Sequence, residues 1–230
     1  MADAPKYHIG FSQSDLGADP PLCVLLCGDP DRIRKIAGGF PGIKQVRLLS
    51  EKRGLVSFFA STEQGMPLLL ATSGMGAPSM SIVVNELYQV GIRLIIRVGT
   101  TGSIQEALVK AARELGVDWH LGITASVDTF FEGQGRTLTS ANTHLLRRLQ
   151  GITEEYAHLN ILNYEMECGT LFKMAGVYGF AAGCVCAVID DRTTGEAVDL
   201  SVKDKAESDA IRVALAAIEG LDPECLGSRR

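Results

Sequence analysis

LCVLLCGDPDRIRKIAGGF, residues 22–40, is the stretch on which the fold class turns. Its first six residues are apolar without polar alternation, as in a strand buried on both faces. GDPDR then reads as a turn entering a helix. The same alternation recurs along the chain. LVSFFASTEQGMPLLLATS (55–73) predicts two strands joined by a polar turn around Gln64 and Gly65. SMSIVVNELYQVG (79–91) predicts a helix, LIIRVG (94–99) a strand, and EALVKAARELG (106–116) a helix ending at a glycine. HLGITASVDTF (120–130) reads as a strand running into a glycine-rich loop, and ANTHLLRRLQGI (141–152) and ECGTLFKMAGVYG (167–179) as helices. AAGCVCAVIDD (181–191) reads as a strand and VKDKAESDAIRVALAAIEG (202–220) as a closing helix. Strands alternating with helices imply an α/β fold with a largely parallel sheet covered on both faces. At 230 residues, one domain spanning 1–230 is expected.

Composition narrows the partners. A formal net charge of −5 leaves no electrostatic footprint for nucleic acid, so the expected ligand is small. No run approaches the roughly 20 apolar residues of a membrane span. MADAPKYHIGFSQSD, the start of the chain, lacks the charged and apolar regions of a signal peptide. The six cysteines (23, 27, 168, 184, 186 and 225) lie mostly in apolar runs, which suits buried reduced thiols in a cytoplasmic protein. Cys184 and Cys186 have no second pair at zinc spacing and the four histidines have no metal-ligand spacing, so no metal site is expected.

In a parallel sheet, ligands gather where strands end at their carboxyl termini, which directs attention to five loops. In GDPDR (28–32), Gly28 lets backbone amides approach an anion, Asp29 or Asp31 can cap the helix, and Arg32 can fork onto phosphate oxygens. Alone, that stretch reads more readily as a capped turn with a solvent-facing arginine. RVGTTGS (97–103) is sharper, because Arg97 is a charge on an apolar strand and requires a partner or a ligand. Thr100, Thr101 and Gly102 add hydroxyls and open backbone amides, an oxyanion-binding set that is not a P-loop. TSGMGAPS (72–79) partly matches a dinucleotide turn, but the third glycine is missing and the next strand carries Arg97 rather than leading to a ribose-holding acid. In DTFFEGQGR (128–136), Gln134 and Arg136 can read a flat amide edge while Phe130 stacks on the ring; the bland alternative is a mobile polar loop. The last loop is IDDRTTGE (189–196).

GDPDR, TSGMGAPSMSIVVNEL, IIRVGTTGSIQ, ITASVDTFFEGQGR, NYEMECGTLF and VIDDRT occur in an order that closely resembles the nucleoside phosphorylase superfamily, and within it the uridine-cleaving members, from His8 to the closing helix. The resemblance implies a three-layer α/β/α sandwich about a central mixed, largely parallel sheet. It implies phosphorolysis of uridine to uracil and ribose 1-phosphate in nucleoside salvage, with inorganic phosphate as co-substrate and no organic cofactor. By resemblance, Gly28, Arg32, Arg97 and Thr100 hold phosphate, with Arg53, one place off the pattern, as the arginine borrowed from a neighbouring subunit. Thr101, Gly102, Phe130, Gln134 and Arg136 frame the uracil. Arg97, Gln134, Arg136 and Glu167 are the expected catalytic set.

The stretch NYEMECGT (163–170) is the remaining puzzle, because Glu165 and Glu167 would splay about 200° apart on a helix. The resemblance implies a partly extended wall instead. Met166 then packs under the ribose, Glu167 accepts from its hydroxyls, Glu165 looks toward its edge, and His8 reaches the 5′-hydroxyl from a partner subunit. A homo-oligomer, at least a dimer with shared sites, follows. Some relatives carry a cation at the subunit interface, for which no ligands can be named in this chain.

Two departures stand out. After GTTGSIQ the superfamily continues with a further strand and a long loop, whereas Gln105 here runs directly into EALVKAARELG. Loss of a sheet strand would open the core, so the expectation is that the segment belongs to the protein but not to these 230 residues. Second, Asp190 and Asp191 replace apolar and amide positions. An aspartate nearby protonates the base in purine phosphorylases, which keeps purine cleavage as the alternative, although an ion pair of Asp190 or Asp191 with Arg192 is expected. A nucleoside-binding module or a nucleoside hydrolase would need no phosphate clamp, against which Arg32, Arg97 and Thr100 argue.

Overall fold

Period-two alternation along the central strands decides what each helix layer touches. The computed structural model describes residues 3–99, 105–192, 195–196 and 199–221. In chain order the elements are β1 (Cys23–Cys27), α1 (Pro30–Ala37), β2 (Ile43–Ser50), β3 (Ser57–Thr62), β4 (Pro67–Thr72), α2 (Ala77–Gln89) and β5 (Leu94–Gly99). They continue with α3 (Gln105–Leu115), β6 (Ile123–Ser126), α4 (Ile152–His158), β7 (Ile161–Glu165), α5 (Cys168–Tyr178), β8 (Ala181–Cys186) and α6 (Leu200–Glu219). Six strands form one sheet in the order β2-β3-β4-β1-β5-β8, with β4, β1, β5 and β8 parallel and β2, β3 and β4 antiparallel. The sheet is thus mixed and largely parallel, as expected.

On β1, Cys23, Leu25 and Cys27 face one core with α1, α3 and α6, while Val24 and Leu26 face a second with α2 and α5. On β5, Leu94, Ile96 and Val98 join the first core and Ile95 the second. Arg97 therefore falls on the α2/α5 side. Burial pushes the Cys23 and Cys27 thiols up to about 11 and about 12, so both are inert apolar filling. Among the described residues, no helix is long and apolar enough to cross a membrane.

The periphery departs from the sequence-based expectation in three places. First, β2 has no signature because it is an exposed edge strand whose register shifts between Lys44 and Arg47, where Gln45 takes a positive φ of 51°. Such a bulge breaks the alternation that marks a strand. Second, the helix expected over 141–152 is a loop with a single 3-10 turn at Arg147–Leu149, and the helix proper is α4. The Asn142 carboxamide accepts from the His144 N–H at 2.9 Å and Gly151 has φ 70°, so local turn chemistry displaces the helix start. Third, the strand expected after Gln105 does not occur within these 230 residues. Gln105 and Glu106 are consecutive residues of α3. β6 and β7 pair in a separate two-stranded sheet, and around it Leu121, Ile123 and Leu162 are more than half exposed.

Candidate active site

The carboxyl ends of β4, β1 and β5 lie side by side where the strand order changes direction, the usual place for a ligand. Gly28 lies just past β1. A Cβ there would come within 3.3 Å of the Gly74 carbonyl and 3.8 Å of Arg97 Nη2, so the absence of a side chain lets the β1 turn close on the guanidinium. Arg97 is 6% exposed, and its Nε and Nη1 have no partner among the described residues. Its Nη2 pairs with Glu167 Oε2. Glu167 Oε1 accepts at 2.6 Å from the N–H of Gly76, the residue that caps α2 with φ 83°. Each carboxylate oxygen keeps lone-pair capacity beyond these contacts.

Arg32 also points to this crevice. Its Nη1 donates to the Val98 carbonyl at 3.3 Å and its Nη2 to Glu207 Oε1 at 2.6 Å, while Nε has no partner among the described residues. Glu207 lies on α6, is buried, and was invisible in sequence as a partner because it is one acid among many on an amphipathic helix. Gly28, Arg32 and Arg97 are thus brought together at the ends of β1 and β5. Thr100, Thr101 and Gly102 lie outside the described residues.

NYEMEC resolves into the end of β7 followed by the start of α5. Glu165 and Glu167 do take different roles. Glu165 Oε2 accepts from the backbone N–H groups of Glu167 and Cys168 at 2.7 and 2.6 Å, and Oε1 accepts from the Ser126 hydroxyl. Ser126 in turn accepts from the Gly169 N–H at 2.7 Å. Glu165 therefore caps the backbone N–H groups at the start of α5. Burial raises its carboxyl above the ordinary value, against the pull of the Cys168 and Glu167 N–H groups. Met166, between the two acids, is half-buried.

Glu165→Ala should cost about 1–2 kcal/mol of stability, measured by chemical unfolding, while Glu165→Gln, whose amide oxygen can still accept both N–H groups, should stay close to wild type. Because folding raises this carboxyl, its contribution is fully present below the 4.5 of a free glutamate and is lost as pH rises through the folded value. Glu165→Gln should lack that decline. An Ala variant as stable as wild type would dismiss the cap.

The second constellation sits on the loop after β6. Gln134 and Arg136 are 5% and 3% exposed. Arg136 Nε donates to Gln134 Oε1 at 3.3 Å, Nη1 to the Glu196 carbonyl at 2.9 Å and Nη2 to Asp190 Oδ2 at 2.7 Å. The guanidinium lies 4.2 Å from the centre of the half-exposed Phe130 ring. Of the two aspartates expected to pair with Arg192, Asp190 takes Arg136 instead. Arg192 instead donates to the Gln134 carbonyl at 3.1 Å and lies 5.6 Å from the Tyr164 ring centre. Glu196 escaped the sequence reading altogether. Its carboxylate accepts from the N–H groups of Thr137, Leu138 and Thr139 and so staples the loop beyond Arg136.

The two constellations are linked through the β7–α5 junction, with Glu167 on Arg97 at one end and Tyr164 under Arg192 at the other. His8 and Arg53 stand apart. His8 Nδ1 bonds Glu86 Oε1 at 2.7 Å, and Arg53 donates to the Tyr7 hydroxyl at 2.9 Å with its guanidinium 4.8 Å from that ring. Among the described residues no cluster of three or more His, Cys, Asp or Glu could hold a metal ion.

The arrangement has relatives. The family model of the phosphorylase superfamily matches residues 23–110 and 104–219. The chain is 33% identical over 260 residues to the uridine phosphorylase of Escherichia coli strain K12, covering 96% of this chain and 100% of the relative. It is 31% identical over 248 residues to the uridine phosphorylase of Thermococcus kodakarensis, covering 90% and 86%. A DeoD-type purine nucleoside phosphorylase of Oceanobacillus iheyensis is 30% identical over 247 residues, covering 92% and 98%. The first alignment is longer than the 230-residue chain by 30 positions, and the family match divides at residues 104–110, where the expected strand is missing.

Proposed function

Since the chain belongs to the phosphorylase superfamily, we propose that it catalyses the reversible phosphorolysis of uridine to uracil and ribose 1-phosphate, a pentosyl transfer in nucleoside salvage. The observation that carries this reading is the buried Arg97 guanidinium, whose Nη2 pairs with Glu167 near Gly28 while its Nε and Nη1 have no partner among the described residues. A cation so placed can bridge both substrates. Its spare donors take phosphate, with Arg32 adding charge, while Glu167 keeps lone pairs for the ribose hydroxyls.

A phosphate oxygen attacks the anomeric carbon as the bond to the base nitrogen breaks through an oxocarbenium-like state. The bonding pair leaves with the base, and its charge spreads over the two carbonyl oxygens of uracil. The Gln134–Arg136 pair supplies donors for those oxygens, and Glu167 faces the developing positive charge. Positioning and electrostatics thereby carry the rate, with inorganic phosphate as co-substrate and no organic cofactor. Purine cleavage is the second reading, favoured by the DeoD-type relative and by Asp190. The Asp190 contact to Arg136 counts against it, because that oxygen is already committed.

The proposal extends to one domain over residues 1–230, a cytoplasmic location and an assembly of at least two subunits. Incubation with uridine should release free uracil only when phosphate is present. Equal release without phosphate would point to a hydrolase, and no release in either case would remove uridine as the substrate. Repeating the assay down a dilution series tests the assembly, since turnover per chain should fall as subunits separate.

A further inference from the structure

Arg136 is a nearly fully buried cation, yet its contacts to Gln134 and Glu196 are to neutral carbonyl oxygens. Its charged partner among the described residues is Asp190, past the carboxyl end of β8, at 2.7 Å. A guanidinium has five N–H groups in a fixed plane. One points to Gln134, one to the Glu196 carbonyl and one to Asp190, and the Phe130 ring covers a face. Among the described residues, one N–H therefore remains on each terminal nitrogen. Gln134 has turned its carbonyl to Arg136, which leaves its amide group as a donor. The edge offered to a base is made of donors alone, and its direction depends on which way Asp190 pulls the guanidinium.

We propose that Asp190 is a positioning residue for the leaving base: it holds the buried Arg136 plane so that the remaining N–H groups meet the carbonyl oxygens on which the departing uracil's charge collects. This rests on the uridine reading above. It assigns Asp190 a role through Arg136, distinct from protonating a base. A carboxylate on one end of the guanidinium fixes rotation within its plane, which two neutral carbonyls and a ring do less firmly. It also compensates a charge that would otherwise be buried alone.

The test is a double-mutant cycle on uridine phosphorolysis. Asp190→Ala should lower kcat/KM for uridine roughly 10- to 100-fold while moving the phosphate KM less than about threefold. Asp190→Asn, which keeps an oxygen acceptor at the same place, should recover most of that loss. In an Arg136→Met background, Asp190→Ala should cost nothing further, because the group it positions is gone. Asp190→Ala with unchanged kcat/KM overturns the proposal. So does an additional loss in the Arg136→Met background, which would mean that Asp190 acts on the base directly. If Asp190→Ala alone does not fold, the comparison of Arg136→Met with Arg136→Met/Asp190→Ala decides it in the same way. A wild-type protein that cleaves no uridine in phosphate defeats the functional reading itself, and that result appears before any variant is made.

Discussion

Arg97→Met should be the most damaging single change in the molecule, on two separate scales. The substitution strands the Glu167 carboxylate, which is 5% exposed, without its cation. Breaking a buried pair in this way costs about 3–5 kcal/mol, or a fall in Tm of roughly 10 °C for a chain of this size. Arg97→Met/Glu167→Gln should recover much of that stability, because no charge is then left buried alone. Activity should not recover with it. The loss of the unpartnered Nε and Nη1 donors should lower kcat/KM for phosphate by a factor on the order of 100–1,000, in both the single and the double variant. Uracil affinity should change far less, since Gln134 and Arg136 stand at the other end of the β7–α5 junction. Equal losses for phosphate and uracil in a variant that melts normally would remove Arg97 from the phosphate site.

The second large effect is substrate choice. Uracil carries two carbonyl oxygens, and the donor edge of Gln134 and Arg136 is built to pair with them. A purine presents its acceptors at other positions around the ring, so donors set for the two uracil oxygens are left poorly paired. Sites that read hydrogen bonds reject analogues lacking them by factors on the order of 10,000 or more. Uridine should therefore be preferred over inosine and adenosine by several orders of magnitude in kcat/KM. Gln134→Ala combined with Arg136→Ala should erase most of that preference, chiefly by lowering the rate on uridine. Comparable wild-type rates on inosine would hand the site to purine cleavage and recast Asp190 as a proton donor.

The ends of β1, β4 and β5 were legible in the sequence, because a fully buried parallel strand is a continuous apolar run and its glycine-bearing end is the site-bearing end. Arg97 was legible for the same reason: a lone cation in such a run demands a partner. The order of the six motifs carried the family. The strand β2 and the start of α4 were not legible, since a bulge at Gln45 and a turn at Asn142 overrule the periodicity that identifies elements.

The partners were the part that only the tertiary structure decided. Arg97 meets Glu167 across 70 residues, Arg32 meets Glu207 across 175, and Arg136 meets Asp190 across 54. Local sequence says only that Arg97 needs a counter-charge, and any of 27 acidic residues could serve. The choice follows from strand order and from which face of β5 residue 97 occupies, and both are set by long-range pairing of the whole sheet. The two glutamates of NYEMEC divide their work for the same reason. Where β7 gives way to α5, the backbone N–H groups at the helix start take up Glu165 and leave Glu167 to the arginine that the sheet presents.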